Sequence, residues 1–298
     1  MDGLRVDAVA AILYFDRGLG GDGETPSRRG GRKNIEGIDF LRGFNEVLRG
    51  EYPDVMTIAE ESSAWPMVSR PTSSGELGFG FKWNMGWMND IVAYMSEDPT
   101  GRQQHHDKVT FSMLYALSEN FVLPLPHHGV VNGKGSLIAK MPGDDGQKLA
   151  NLRLLYGYMY GHSGKKLLFM GGEFGQRSEW SCEDCLDWAA LDDKAHEGLQ
   201  RWVRDLNTFY RGQPALFERD FEQNGFEWID CHNSDDSVLS YIRKSADSDE
   251  MLVVCKAVRH GVTPALVSCD FPFGPLQTST EAAVQAANDE FDVTPFVG

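Results

Sequence analysis

The sequence predicts an α/β fold, a parallel sheet or barrel of short apolar strands separated by amphipathic helices, with a smaller antiparallel sheet after it. Three observations carry this. Apolar runs at Leu4–Val9 and Val55–Ala59 carry acids at or near their carboxyl ends, Asp7 in the first and Glu60 and Glu61 after the second. Between them lies a stretch with helical spacing. Strand, helix, strand with acids at the strand ends is the arrangement of a parallel sheet whose functional groups share one rim. Past Gln213-Pro214 the period changes to short β-type runs separated by Asn, Ser and Asp turns, the mark of an antiparallel sheet.

In the first run, extended alternation puts Leu4, Val6 and Ala8 on one face and Arg5, Asp7 and Val9 on the other, so an arginine and an aspartate share a face. The segment from Arg17 to Lys33 is rich in Gly and Arg and reads as a surface connection. Asn34 then reads as a helix cap, with Ile35, Ile38, Phe40, Leu41, Phe44, Val47 and Leu48 making one broad apolar face. The strand Val55–Ala59 follows. Residues Ser62 to Gly80 form a long Pro-, Gly- and Ser-containing loop of the kind that carries function. Trp83 and Trp87, four apart, read as helical core residues, whereas Trp65 lies in that loop beside the acids.

Further helical patterns cover Asn84 to Ser96 and Val109 to Leu117, and ENFVLPL (119–125) reads as a buried strand ending at Pro126, with His127 and His128 just beyond. A helix from Gln147 to Tyr160, a strand from Leu167 to Met170 and a charged helix from Lys194 to Tyr210 complete the alternation. Strands are then expected at Phe226–Asp230, Val238–Arg243 and Met251–Cys255. Beyond Cys255 the strand pattern is weak, with a helical-looking segment at Glu281 to Ala287, and that tail is expected to be poorly folded.

A chain of 298 residues with 41% hydrophobic content can bury a large core. Its net charge of -16 argues against a phosphate-backbone partner and for an uncharged polymer or small solute. The sequence has no run near the roughly 20 apolar residues of a membrane span, and its start is acidic where a signal peptide is basic. Five cysteines without framework spacing suit a reducing compartment. The reading is therefore cytoplasmic, with neither nucleic-acid nor membrane partner. Cys182 and Cys185 have the spacing of half a zinc site, but no second pair accompanies them, and the adjacent histidines cannot ligate one metal from one strand face. No metal and no cofactor are implied.

Arg5 and Asp7 read either as a structural ion pair or as a reactive carboxylate that its neighbour keeps ionised. Glu60, beside the like charge of Glu61, reads either as part of a solvated acidic turn or as a carboxyl favoured in its protonated form. The motifs DGLRVDAV (2–9), VMTIAEESSAWP (55–66), ENFVLPL (119–125) and KKLLFMGGEFGQ (165–176) bear on that choice. Together they resemble the α-amylase superfamily of glycoside hydrolases, and within it the bacterial glycogen branching enzymes, from Asp2 to about Cys255.

The resemblance implies the second half of a (β/α)8 barrel, about strands four to eight, over 1–211, then a partial antiparallel β-sandwich over 212–298. It implies an α-1,4-glucan substrate and transfer of a glucan segment to a 6-hydroxyl. Asp7 matches the family nucleophile, Arg5 the arginine that holds it ionised, and Glu60 the general acid/base. His127 matches the histidine that meets the reacting sugar, and Trp65 is the expected sugar contact. One position departs: the register Pro126-His127-His128-Gly129 puts His128 where the family has its third acid, an aspartate. An imidazole there offers a hydrogen bond but no fixed negative charge, so impaired transfer is expected, by on the order of 3 kcal/mol or more of transition-state stabilisation. The family's N-terminal barrel half has no counterpart in the sequence, so either a partner chain supplies it or the chain is a remnant. A non-catalytic glucan-binding or assembly subunit is the competing function. Hydrolysis by an amylase relative is disfavoured, because AEESSAWP and FKWNMGWM (81–88) resemble branching enzymes specifically.

Overall fold

Parallel strands can be joined only by a crossover, and the order of elements follows from that requirement. The computed structural model describes residues 2–15, 33–129, 133–235, 237–247, 249–256 and 265–268. The first sheet has five strands, β1 (Gly3–Val6), β2 (Met56–Ala59), β3 (Phe81–Trp83), β4 (Phe121–Leu125) and β5 (Lys165–Leu168), in that order. The chain divides into two units, Met1–Met85 with Tyr115–Val122, and Gly86–Leu114 with Leu123–Gly298.

In the first unit, β1 (Gly3–Val6) pairs in parallel with β2 (Met56–Ala59), Leu4 opposite Thr57 and Val6 opposite Ala59. Strand β2 pairs with β3 (Phe81–Trp83), and β3 with the start of β4 (Phe121–Leu125), all parallel. The first crossover holds α1 (Val9–Leu13) and α2 (Ile35–Glu51). The second, residues 60–80, contains a single 3-10 turn at Thr72–Ser74 in place of a long helix.

Helix α2 starts at the expected cap: the Asn34 side chain accepts a hydrogen bond from the Gly37 N–H at 3.1 Å. Glycine is required at position 37, since a Cβ there would lie 2.4 Å from the Ile12 carbonyl oxygen. The buried stripe of α2 is narrower than its apolar pattern. Ile38, Leu41 and Asn45 are buried, whereas Phe40 is 65% and Val47 53% exposed. Asn45 holds a core position because its amide donates to the carbonyls of Leu41 (3.1 Å) and Leu77 (2.9 Å), fastening the helix to the second crossover. Ile38 and Leu41 join Val9, Leu13, Ala59, Val68, Leu77 and Phe79 in one apolar cluster, against which Val6 and Trp65 also pack.

Glu119 anchors the same crossover. Its buried carboxylate accepts from the N–H groups of Val68 (2.7 Å) and Ser69 (2.8 Å) and from the Ser69 hydroxyl (2.5 Å). Three donors repay the desolvation of one charge.

In the second unit, α3 (Met85–Ser96) places Trp87 in the core, stacked on Tyr158 of α5 (Asp145–Gly161) at 6.4 Å. The expected core role of the Trp83–Trp87 pair holds, but Trp83 lies on strand β3 and not on a helix. A short helix α4 (Asp107–Thr110) stands where Val109–Leu117 was read as helical, and it gives way to a 3-10 turn at Phe111–Leu114. Asp144 and Gln147 form a capping box on α5, which is buried on nearly all sides; β5 (Lys165–Leu168) and the amphipathic α6 (Lys194–Gly212) follow.

Strands β6 (Phe226–Asp230), β7 (Val238–Lys244), β8 (Glu250–Lys256) and β9 (Ala265–Ser268) form the antiparallel sheet. The weak strand pattern read beyond Cys255 is corrected in part, because β9 pairs with β8, Leu252 opposite Val267. The segment Glu281 to Ala287 lies outside the described residues. Arg243 of β7 and Asp220, both side chains fully buried, form an ion pair at 2.7 Å, and Arg243 also donates to the carbonyl of Gly161 at 2.9 Å. Among the described residues no helix is long and apolar enough to cross a membrane.

Candidate active site

The carboxyl ends of β1 and β2 lie side by side, and the chain is clasped there by hydrogen bonds that start from Glu60. Its N–H donates to the Val6 carbonyl at 2.9 Å, and its own carbonyl accepts from the Val9 N–H at 2.9 Å. Its carboxylate accepts from the Ala8 N–H at 2.7 Å. That last contact depends on Ala8 being left-handed, with φ 47°. The strand therefore ends at Val6, and Asp7 stands in the turn and not on the strand as alternation predicts. The apolar face of the run is not enclosed either: Leu4 and Val6 are half-buried and Arg5 is exposed.

Arg5 still reaches Asp7 and pairs with its carboxylate. The guanidinium also lies over the Trp83 ring at 4.3 Å from the centroid, a stacking contact that arginine's planar head favours. The Asp7 side chain is 71% exposed, so its charge remains in contact with water.

Glu61, next to Glu60, has a different environment. It is buried, and its Oε2 meets the Lys82 ammonium at 2.9 Å while its Oε1 accepts from the Ser63 N–H at 2.7 Å. Lys82 thus balances the charge of Glu61, which is not the uncompensated neighbour of Glu60 that the sequence reading assumed. Lys82, Ser63 and Trp83 were not singled out from the sequence as site residues. The signal was present for Lys82: a lysine between Phe81 and Trp83 in a strand must find a counter-ion once buried.

Trp65 lies in the same unit, half-buried, with Tyr14 edge-on at 5.8 Å and the Lys33 ammonium 4.7 Å from its ring centroid. His127 belongs to the second unit, where it opens a 3-10 turn (His127–Gly129) and its ring lies 5.6 Å from Phe169, itself against Trp180 at 5.2 Å. The backbone of His128 is part of that turn, and its side chain lies outside the described residues. Of the expected site residues, then, Arg5 and Asp7 pair at the end of β1, Glu60 stands at the neighbouring end of β2, and Trp65 stands on the loop that follows. Among the described residues no His, Cys, Asp and Glu group could hold a metal ion, and Cys182 and Cys185 are exposed free thiols.

The backbone is similar to two solved structures of the amylase type. One is a cyclomaltodextrinase (TM-score 0.50, 19% identity, 72% of this chain and 34% of that one). The other is the cyclic alpha-maltosyl-(1-->6)-maltose hydrolase of Arthrobacter globiformis (TM-score 0.54, 17% identity, 85% and 48%). At these identities the likeness establishes the class of fold: an amylase-type parallel α/β half-barrel followed by an antiparallel sheet. No family model matches the chain.

Sequence relatives are far nearer. The chain is 60% identical over 255 residues to the 1,4-alpha-glucan branching enzyme GlgB of Aquifex aeolicus, covering 85% of this chain and 40% of that one. It is 57% identical to that of Aromatoleum aromaticum (86% and 40%) and 53% identical to that of Rubrobacter xylanophilus (88% and 37%). The chain matches the C-terminal portion of these 1,4-alpha-glucan branching enzymes and spans about two fifths of the length of the relatives it matches.

Proposed function

We propose that this chain carries the reacting pair of a glycogen-type branching enzyme, which moves an α-1,4-glucan segment to a 6-hydroxyl by retaining transglycosylation. The observation that carries the reading is the placement of Asp7 and Glu60 just past the carboxyl ends of paired parallel strands. In this scheme Asp7 attacks the anomeric carbon and Glu60 protonates the departing 4-oxygen. Glu60 then takes the proton of the incoming 6-hydroxyl as that oxygen displaces Asp7. Arg5 neutralises and orients Asp7. One oxygen of Glu60 accepts from the Ala8 N–H, and the other has no protein partner among the described residues, so it is available to the bridging oxygen. Trp65 and His127 are sugar contacts, and strands β1 to β5 are barrel strands four to eight, within a catalytic portion 1–211 that precedes a sandwich portion 212–298. Glucan is the substrate. A cytoplasmic location suits the four described cysteines, all free thiols.

His128 stands where the family's third acid belongs, and turnover is impaired for that reason. The same substitution supports a second reading, a non-catalytic glucan-binding or assembly subunit. A chimera that places the N-terminal part of the Aquifex aeolicus relative before Asp2 separates the two. Iodine-stained amylose, followed by debranching and chain-length analysis, should show few new α-1,6 branches with His128 and many with His128→Asp. Asp7→Asn should abolish the gain. If His128→Asp recovers nothing in a folded chimera, the binding-subunit reading replaces the catalytic one.

A further inference from the structure

The loop after β5 carries a motif to which the acid pair gives no task. Cys182 and Cys185 stand three residues apart, and both thiols are free and exposed. The chain bends at Cys182, Glu183 and Asp184, and the Glu183 N–H donates to the Ser181 hydroxyl at 3.1 Å, so the two cysteines flank one change of direction. A disulfide needs Cα atoms within about 7 Å, a span that four residues reach by bending and not when extended.

Both ends of the loop are tied to one side chain. The Gln176 amide donates to the Ser178 carbonyl at 3.3 Å and accepts from the Asp187 N–H at 3.1 Å. Nearer the cysteines, the Glu179 carboxylate accepts from the Gly133 N–H at 2.6 Å. The Trp180 ring meets Phe169 edge-on at 5.2 Å, and His127 lies 5.6 Å from the same Phe169. Three rings thus connect the cysteine loop to the turn of His127.

The other described cysteines have different surroundings. Burial pushes the Cys255 thiol up to about 12, and burial followed by the charge of Asp230 raises that of Cys231. A thiol held protonated is a poor nucleophile, so reactivity among the described cysteines falls to the exposed pair. Glu183 and Asp184 put two carboxylates between its thiols. They repel an anionic oxidant such as glutathione disulfide and leave a small neutral one, hydrogen peroxide, as the fitting co-reactant.

We propose that Cys182 and Cys185 are a peroxide-sensitive dithiol that closes to a disulfide within the loop and shifts Trp180 and, through Phe169, the His127 ring. One thiolate attacks peroxide; the O–O bond breaks, the departing hydroxide takes up the thiol's proton to become water, and the sulfur is left as a sulfenic acid. The second thiol attacks that sulfur, the S–O bond breaks, and a second water leaves as the S–S bond forms. Two thiols are oxidised and one peroxide is reduced to two waters. A dithiol reductant reverses the change by exchange. None of this chemistry depends on whether the acid pair branches glucan.

The test treats the whole 298-residue chain with hydrogen peroxide, alkylates it with N-ethylmaleimide and digests it with trypsin. Peptide 178–194 should lose both alkylation sites and weigh two hydrogens less than the free dithiol, and dithiothreitol should restore both sites. Cys182→Ser and Cys185→Ser, at exposed positions, should each leave the peptide without that link. The His127 ring signal in NMR should move on oxidation of the parent, return with dithiothreitol, and stay in place in the double variant. Two alkylated cysteines after peroxide, separate sulfinic or sulfonic acids, or a link to a second chain would overturn the dithiol. A disulfide that forms while the His127 signal stays in place would overturn the switch.

Discussion

Asp7 and Asp220 are both aspartates paired with an arginine, yet they lie at opposite ends of the solvation scale. Asp220 is fully buried, with Arg243 at 2.7 Å on one oxygen and Lys165 at 2.9 Å on the other. Burial alone would raise its pKa, but Lys166, Arg243 and Lys165 outweigh that cost and hold it below the ordinary carboxylate value. Asp7 stands in a turn with most of its side chain in water and one cation beside it. The acids on and against the second crossover repeat the contrast: Glu61 and Glu119 are buried and engaged on both oxygens, whereas one oxygen of Glu60 has no protein partner among the described residues. A carboxylate whose acceptors are all used by the protein holds the fold together. One left open at a strand end is available for chemistry.

Mutations should separate the two kinds of acid, and the largest effect belongs to the buried pair. Arg243→Leu leaves Asp220 without its closest cation and frees the Gly161 carbonyl. It should cost about 3–5 kcal/mol of stability in a denaturant titration. A loss below about 1 kcal/mol would mean that Lys165 and Lys166 suffice, and the contrast with Asp7 would break.

The next effect is one of pH. His162 is enclosed beside Trp87 and Tyr158 and hydrogen-bonded to Ser112 at 2.9 Å. Burial depresses its pKa to about 3. Between about pH 6.5 and 3 the unfolded chain therefore binds a proton that the folded chain refuses. Stability should fall with acidification through that window by up to about 1.4 kcal/mol per pH unit. Denaturant titrations across it should be flatter in a folded His162→Asn variant. Equal slopes in the two proteins would assign the acid loss to other groups.

Glu119→Ala should follow, at about 1–3 kcal/mol, because it strands the buried N–H groups of Val68 and Ser69. Amide exchange at those two positions should quicken before exchange in β2 does. Asp7→Asn should be the mildest, within about 1 kcal/mol of the parent in thermal unfolding, as for exposed ion pairs generally.

The alternation of apolar strands and helices was legible because each rests on local chemistry: Asn34 caps its helix as side-chain acceptors do anywhere. Long-range compensation was not. The sequence places Glu60 and Glu61 together as equals, and only the fold assigns Lys82 to Glu61 and the Ala8 N–H to Glu60. Alternation likewise extended β1 through Val9, because nothing local marks an alanine that turns left-handed to meet a glutamate more than fifty residues away. The face of α2 was drawn too wide for a related reason. Helical spacing lists Phe40 and Val47 with Ile38 and Leu41, but burial is decided by what packs against each of them.

The division of labour between Asp7 and Glu60 is the central claim, and trapping tests it most directly. In the chimera, Glu60→Gln should leave an activated donor such as α-maltosyl fluoride able to glycosylate the nucleophile, since fluoride leaves without an acid, while slowing the second step that needs a base. Mass spectrometry of the digested protein should then find a maltosyl adduct on the peptide that carries Asp7, absent in Asp7→Asn. An adduct on another carboxylate, or one that persists when Asp7 is replaced, would contradict the assignment.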